Sequence, residues 1–191
     1  LARELGVEKQ YKKMTETGEM NFKQIEKYLI LLNGKQESWV AEQIKKEEPF
    51  AGSMETINYL KEKDFAIYIV TDDALMSLPE CNHIVRKKLG ADRIIPTAEI
   101  EIIGGKISGM LRNKRTKPKI LEELIVQYNP SSVLCMVQGL NDYEMAVAAR
   151  KNGATVISVN SHSEKLKKTS DYHIPSISEA PGLLESIFAG K

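Results

Sequence analysis

Four positions in this 191-residue chain carry side chains that would be useful in one place: Thr71, Lys117, Asn141 and Asp142. Thr71 follows an apolar stretch and precedes a helical pattern, so its hydroxyl and the helix-start N–H groups could together hold a phosphate. Lys117 stands just before Pro118, a favoured first helical residue, which puts its ammonium at a helix start where it could neutralise an anion. Asn141-Asp142 follows another apolar stretch through a short turn at Gly139, placing an amide and a carboxylate where a hard cation could sit. Each residue also has a plainer reading. Thr71 or Asp72 can simply cap a helix, Lys117 can be a surface lysine, and Asn141 and Glu144 have the spacing of a capping box. Their order and context are more specific than any one of them: strand-Thr, then Lys-Pro-helix, then strand-x-Gly-x-Asn-Asp-helix.

The elements that must position these residues change character at Pro49. Residues 1–47 read as helices only. Leu1, Leu5, Tyr11 and Met14 form a loose apolar stripe, Asn21 can cap a helix running to Leu32, and Asn33-Gly34 supplies a stop. A third helix carries Trp39, Val40 and Ile44. Beyond Pro49, strands and helices alternate, as in an α/β domain. A helix over 53–63 leads to a strand over 65–70 and a helix reaching Leu89. Residues 99–111 read as a β-hairpin turning at Gly104-Gly105 and lying at an edge. A helix over 118–127, a strand over 133–137, a helix over 142–151, a strand over 155–159, a short segment at 172–174 and a helix from about 178 complete the pattern. Apolar strands between helices imply a parallel sheet covered on both faces, with ligands bound beyond the carboxyl ends of its strands. That rule selects residues 71–73 and 138–142. The expected division is a helical cap over 1–48 and an α/β core over 49–191.

Composition narrows the classes. At 42% apolar content the chain can bury one substantial core, and 27 basic against 26 acidic residues leave a net charge of +1, so no face is prepared for a nucleic-acid backbone. No apolar run reaches the roughly 20 residues that span a bilayer, and no signal-peptide pattern opens the sequence, which points to a cytoplasmic protein without a membrane partner. Cys81 and Cys135 lack paired spacing and read as reduced thiols. His83, His162 and His173 are dispersed, without ligand or triad spacing. The lysines over 165–168 read as a solvated helix face.

Taken in order, these segments resemble the haloacid dehalogenase superfamily, and within it the phosphoserine phosphatases. Residues 1–7 and 21–24 look like the start of that group's helical cap, and residues 67–71 look like the strand ending in its second motif. Residues 104–109 are similar to the family hairpin, Lys117-Pro118-Lys119-Ile120-Leu121 to the third motif, and Gly139-Leu140-Asn141-Asp142 to the end of the fourth.

The resemblance implies a Rossmann-like parallel sheet with helices on both faces, a hairpin and a helical cap. It also implies a reaction: an aspartate on the first strand attacks phosphorus, a second aspartate two residues later moves protons, and Mg²⁺ bridges carboxylates and phosphate. Thr71, Lys117 and Asn141 would then bind phosphate, with Lys117 also steadying the nucleophile. Asp142 would support the metal, and Gln138 would stand where the family has a metal-binding aspartate. The partner would be a small phosphorylated metabolite.

Two departures accompany the match. No Asp-x-Asp occurs before position 72, so the first-motif strand at the centre of the sheet is expected upstream of Leu1. Otherwise its place is filled by a strand from a partner, or closed by direct pairing of its neighbours. Asp72 stands where phosphoserine phosphatases have glycine, and puts negative charge beside the intended phosphate. The readings that follow are a Mg²⁺-dependent phosphomonoesterase with an upstream nucleophile, or a catalytically disabled relative that binds a ligand or a protein.

Overall fold

The computed structural model describes residues 30–112 and 115–189, so most of the expected cap lies outside the described residues. Among them are seven α-helices and seven strands. In chain order these are α1 (Glu37–Lys46), α2 (Ser53–Glu62), β1 (Tyr68–Thr71), α3 (Pro79–Leu89), β2 (Arg93–Pro96), β3 (Ala98–Ile103), β4 (Lys106–Arg112), α4 (Lys117–Tyr128), β5 (Leu134–Val137), α5 (Tyr143–Lys151), β6 (Thr155–Val159), α6 (Glu164–Thr169), β7 (Tyr172–Ile174) and α7 (Ala180–Ala189). Short 3-10 turns at Ala74–Ser77, Leu140–Asp142 and Ile177–Glu179 lead into the helices that follow β1, β5 and β7.

The hairpin forms as its two glycines require. Gly104 and Gly105 have φ of 59° and 75°, the pair of positive values that a tight two-residue connection needs. β3 and β4 pair antiparallel from Ala98↔Arg112 to Ile103↔Lys106, as a sheet of their own. The Asn33-Gly34 stop docks here: Gly34 N–H donates to the Ile107 carbonyl at 2.8 Å, and Ile107 N–H donates to the Lys35 carbonyl at 2.9 Å.

β6 is the best-buried strand. Val156, Ile157 and Ser158 are fully enclosed, because β5 and β7 pair parallel on its two sides while helices cover its faces. α5 and α6 close one side, burying Met145, Ala146, Ala149 and Leu166 with Cys135 and Val137. α2 and α7 close another, burying Leu60, Ala180 and Leu184 with Ile157 and Ile174. Leu166, Leu184 and Ile157 each contribute on the order of 2 kcal/mol by burial. A further core packs α1 and α3 against β2 and the hairpin through Val40, Ala41, Cys81, Ile94 and Ile107. Cys81 and Cys135 are free and buried, as the sequence suggested. Burial pushes both thiols up to about 12, which leaves them inert.

Several boundaries move for local reasons. β1 begins at Tyr68 rather than at position 65, because Ile67 is engaged by Asp92: its N–H donates to the Asp92 carboxylate at 2.7 Å, and its carbonyl accepts from the Asp92 N–H at 2.9 Å. The helix expected from position 71 to Leu89 is broken in two, with Pro79 starting α3 after a separate 3-10 turn. β2 was not expected at all. Arg93-Ile94-Ile95-Pro96 is short and ends in proline, yet it pairs parallel with β1 from Tyr68↔Arg93 to Thr71↔Pro96.

The parallel strands form two pieces rather than one continuous sheet. Among the described residues β1 pairs with β2 alone, the other piece is β5-β6-β7, and β1 and β5 do not hydrogen-bond to each other. Direct pairing of these neighbours is therefore not how the centre closes. Their side chains nevertheless share cores, with Val70 packed against the cluster containing Cys135 and Val137, and Ile67, Leu134 and Met136 all packed against the cluster of Leu60, Ile157 and Leu184. The seam between these two strand edges, unpaired among the described residues, is termed the slot.

Candidate active site

Beyond the C-terminal ends of β1 and β5, five polar side chains converge: Lys117, Asp72, Asp142, Asn141 and Thr97. Lys117 opens α4, with extended Thr116 before it and Pro118 in the first turn, and this start turns the lysine inward. Its side chain is only 9% exposed, so it is not the surface lysine of the plainer reading. The ammonium lies 2.6 Å from Asp142 Oδ1 and 2.7 Å from Asp72 Oδ2. Burial works against its charge, but the Asp142 and Asp72 carboxylates outweigh burial and hold the Lys117 pKa above the ordinary lysine value.

Asp142 is fixed from three directions. Its Oδ2 accepts the N–H groups of Gln138 at 3.0 Å and Gly139 at 3.2 Å, and its Oδ1 takes the lysine. These bonds fold the 139–142 turn back on itself and take three of the carboxylate's roughly four acceptor positions. Asn141 does not act as a capping residue: its Nδ2 donates to Asp72 Oδ2 at 2.7 Å. Gln138 is exposed, at the end of β5.

Thr71 and its neighbours make a tight local turn. The Asp73 N–H donates to Thr71 Oγ1 at 3.1 Å, and the Asp73 carboxylate caps the 3-10 turn by accepting from the Leu75 N–H at 3.0 Å. The Asp73 and Leu75 N–H groups, part of the set expected to meet a phosphate, are thus satisfied internally, while the Thr71 hydroxyl proton stays available to donate.

Asp72 draws the groups together. Besides Lys117 and Asn141, it accepts from Thr97 Oγ1 at 2.6 Å. Burial raises its pKa, but Lys117, Thr97 and Asn141 together outweigh that and hold it below the usual aspartate value. Sequence reasoning placed Thr71, Lys117, Asn141 and Asp142 in one site and noted the charge of Asp72. It missed Thr97, which follows the unexpected strand β2. Only the position after an apolar pair and a proline could have pointed to it.

The Mg²⁺ implied by the resemblance can be tested against these donors. Asp142 and Asp72 already share one ammonium, Gln138 offers a neutral amide in place of a carboxylate, and the described residues contain no group of three His, Cys, Asp or Glu that could hold a metal. The described residues by themselves do not fit the ion. A recess of about 360 Å³ lined by Ser77, Asn82, Pro96 and Arg115 among others is braced by its own polar groups. Asn82 Nδ2 donates to the Met76 and Ile94 carbonyls, and Ser77 Oγ donates to the Ala74 carbonyl. No described helix is long and apolar enough to cross a membrane.

No family model matches the chain. A curated phosphoserine phosphatase of Methanocaldococcus jannaschii is 29% identical over 154 residues, spanning 76% of this chain and 71% of that protein. The crystal structure of phosphoserine phosphatase from T. onnurineus in complex with NDSB-201 superimposes with a TM-score of 0.66 at 19% identity, covering 96% of this chain and 84% of that one. That likeness establishes the fold. A sugar phosphatase of HAD subclass IIB overlaps with a TM-score of only 0.33 at 16% identity, over 74% of this chain and 67% of that one, which is too small an overlap to argue from.

Proposed function

Because this chain is a phosphoserine phosphatase-like protein of the haloacid dehalogenase superfamily, we propose that it binds small phosphomonoesters at Lys117, Thr71 and Asn141. It hydrolyses them when a carboxylate nucleophile stands in the slot between β1 and β5. The observation that supports this reading is the buried Lys117 ammonium, held by acids at the ends of two strands that do not hydrogen-bond to each other. Burying a lysine is costly unless anions face it, and a site that processes dianionic esters repays the cost.

In this reading Lys117 neutralises the phosphoryl oxygens, the Thr71 hydroxyl and the Asn141 amide orient them, and Asp142 holds Lys117 in place through its backbone anchors. The attacking carboxylate comes on a strand seated in the slot, the upstream segment being the expected source. A carboxylate on such a strand would add the charged oxygen donor that Gln138 does not supply, and a Mg²⁺ requirement would then follow. When bound, the ion would neutralise charge on the phosphoryl group.

Phosphoserine heads the substrate panel, because both relatives just described carry that name. The test is phosphate release by the product of the full reading frame containing this sequence, with and without Mg²⁺. Release that requires Mg²⁺ and is abolished by Lys117→Ala is the expected result. Silence across the panel gives the ground to the second reading, a binding module without turnover, which Gln138 and Asp72 specifically favour.

A further inference from the structure

Asp72 has no role in the hydrolysis proposed above, yet it holds the best donors in the site. An ammonium, an amide and a hydroxyl from three separate segments meet its carboxylate: Lys117 Nζ at 2.7 Å, Asn141 Nδ2 at 2.7 Å and Thr97 Oγ1 at 2.6 Å. This is the kind of donor set that recognises a phosphoryl group, one cation with neutral donors around it. The Asp72 side chain is 26% exposed against 9% for Lys117, so the carboxylate stands on the solvent side of the buried ammonium.

The two acids that share Lys117 are held differently. Asp142 is tied to the backbone N–H groups of Gln138 and Gly139, whereas every hydrogen bond described for the Asp72 carboxylate comes from a side chain. Asp142 is therefore the permanent counter-ion. Asp72 can rotate away without breaking any of the described main-chain bonds.

We propose that Asp72 is an internal anion that occupies the phosphoryl-binding donors of this chain and must be displaced before a phosphorylated ligand can bind, so that it sets the affinity of the site. The charge count agrees: with Asp72 and Asp142 both in place, Lys117 faces two negative charges, and an incoming dianion meets a net negative cluster. Displacing Asp72 removes one of those charges from the donors and frees all three groups at once.

The inference rests on the phosphate-site reading for Lys117 and Asn141, to which it adds Thr97, and its test measures binding rather than turnover. Inorganic phosphate is titrated, with EDTA present, into the unaltered chain and into the Asp72→Asn and Asp72→Ala variants, with melting curves confirming that each is folded. Both variants are expected to bind phosphate at least about tenfold more tightly than the unaltered chain. Adding Lys117→Met to either should remove the gain. Equal or weaker binding by both folded variants overturns the proposal.

If neither variant folds, the unaltered chain decides. Phosphate should shift the Asn141 side-chain amide and the Thr97 methyl resonances together, since both lose the same acceptor, and a Thr97 signal that stays still while Asn141 moves overturns the proposal. Loss of hydrolysis with the tenfold gain intact removes the catalytic reading and leaves the internal anion standing.

Discussion

At the scale of single residues, Lys117 is the position on which most depends. Replacing it with methionine keeps the apolar stem but leaves Asp72 and Asp142 facing each other, one oxygen of each having lost the same ammonium. Removing one partner of a buried ion pair strands the other charge, and the expected loss in stability at pH 7 is about 3 kcal/mol, read from denaturant unfolding. The same loss reduced by adding Asp72→Asn would show that carboxylate repulsion is its cause. The acid limb of the stability curve gives a second prediction. The pKa of Asp72 is lower in the folded chain than in the unfolded one, so its contribution is complete above the ordinary aspartate value of about 3.9 and is lost as pH falls through the lowered folded value. Asp72→Asn should flatten that part of the curve. Lys117, with its pKa raised, contributes fully below about 10.4 and loses that contribution as pH rises through its folded value. The order of the segments, strand-Thr, Lys-Pro-helix and strand-turn-Asn-Asp, and the family resemblance it carries brought Lys117 and Asp142 into one site in the sequence reading, where neither residue alone would have done so. They could not reveal that Asn141 serves Asp72 rather than a helix cap, since both roles need the same amide.

At the scale of elements, the starts and stops were more legible than the pieces between them. Pro118, Gly104-Gly105 and the apolar run over 155–159 each signal their element through backbone restriction or burial, and α4, the hairpin and β6 follow. β2 gave no such signal, because four residues ending in proline look like a loop until β1 lies beside them. Gly52 tests how tightly α2 is joined to the C-terminal segment. It has φ of +88°, and a Cβ there would stand 2.3 Å from Ser178 Cα, a backbone atom that cannot step aside. Gly52→Ala should therefore cost at least about 2 kcal/mol, from left-handed strain and the clash together. Thermal unfolding measures this directly, and a variant as stable as the parent would show that the 177–179 turn yields easily.

At the scale of the whole molecule, the class of fold was legible and the division of its sheet was not decidable from sequence. Alternating strands and helices imply parallel pairing but do not say which edges meet, and the sequence left pairing of β1 with β5 as one of three outcomes. Amide hydrogen exchange reports the slot. In this chain, β6 amides should exchange slowest among the parallel strands, because β6 is paired on both sides and fully buried at its centre. The β5 amides that point away from β6, and the β1 amides that point away from β2, should exchange much faster, and should become protected when a strand occupies the slot. Uniform protection across β1, β5 and β6 without such a strand would mean that the slot is closed in solution.

The divided sheet also keeps its parallel pairings local in sequence. Every parallel pair joins a strand to the next parallel strand in the sequence, β1 to β2, β5 to β6 and β6 to β7, so each piece forms by closing short stretches of chain. What joins the pieces is shared side-chain packing, the Lys117 ammonium between Asp72 and Asp142, and the Asn141 amide on Asp72, with no ladder of backbone bonds between β1 and β5. A strand entering the seam would therefore meet an edge on each side that no described strand has paired, and could add backbone bonds to both pieces at once.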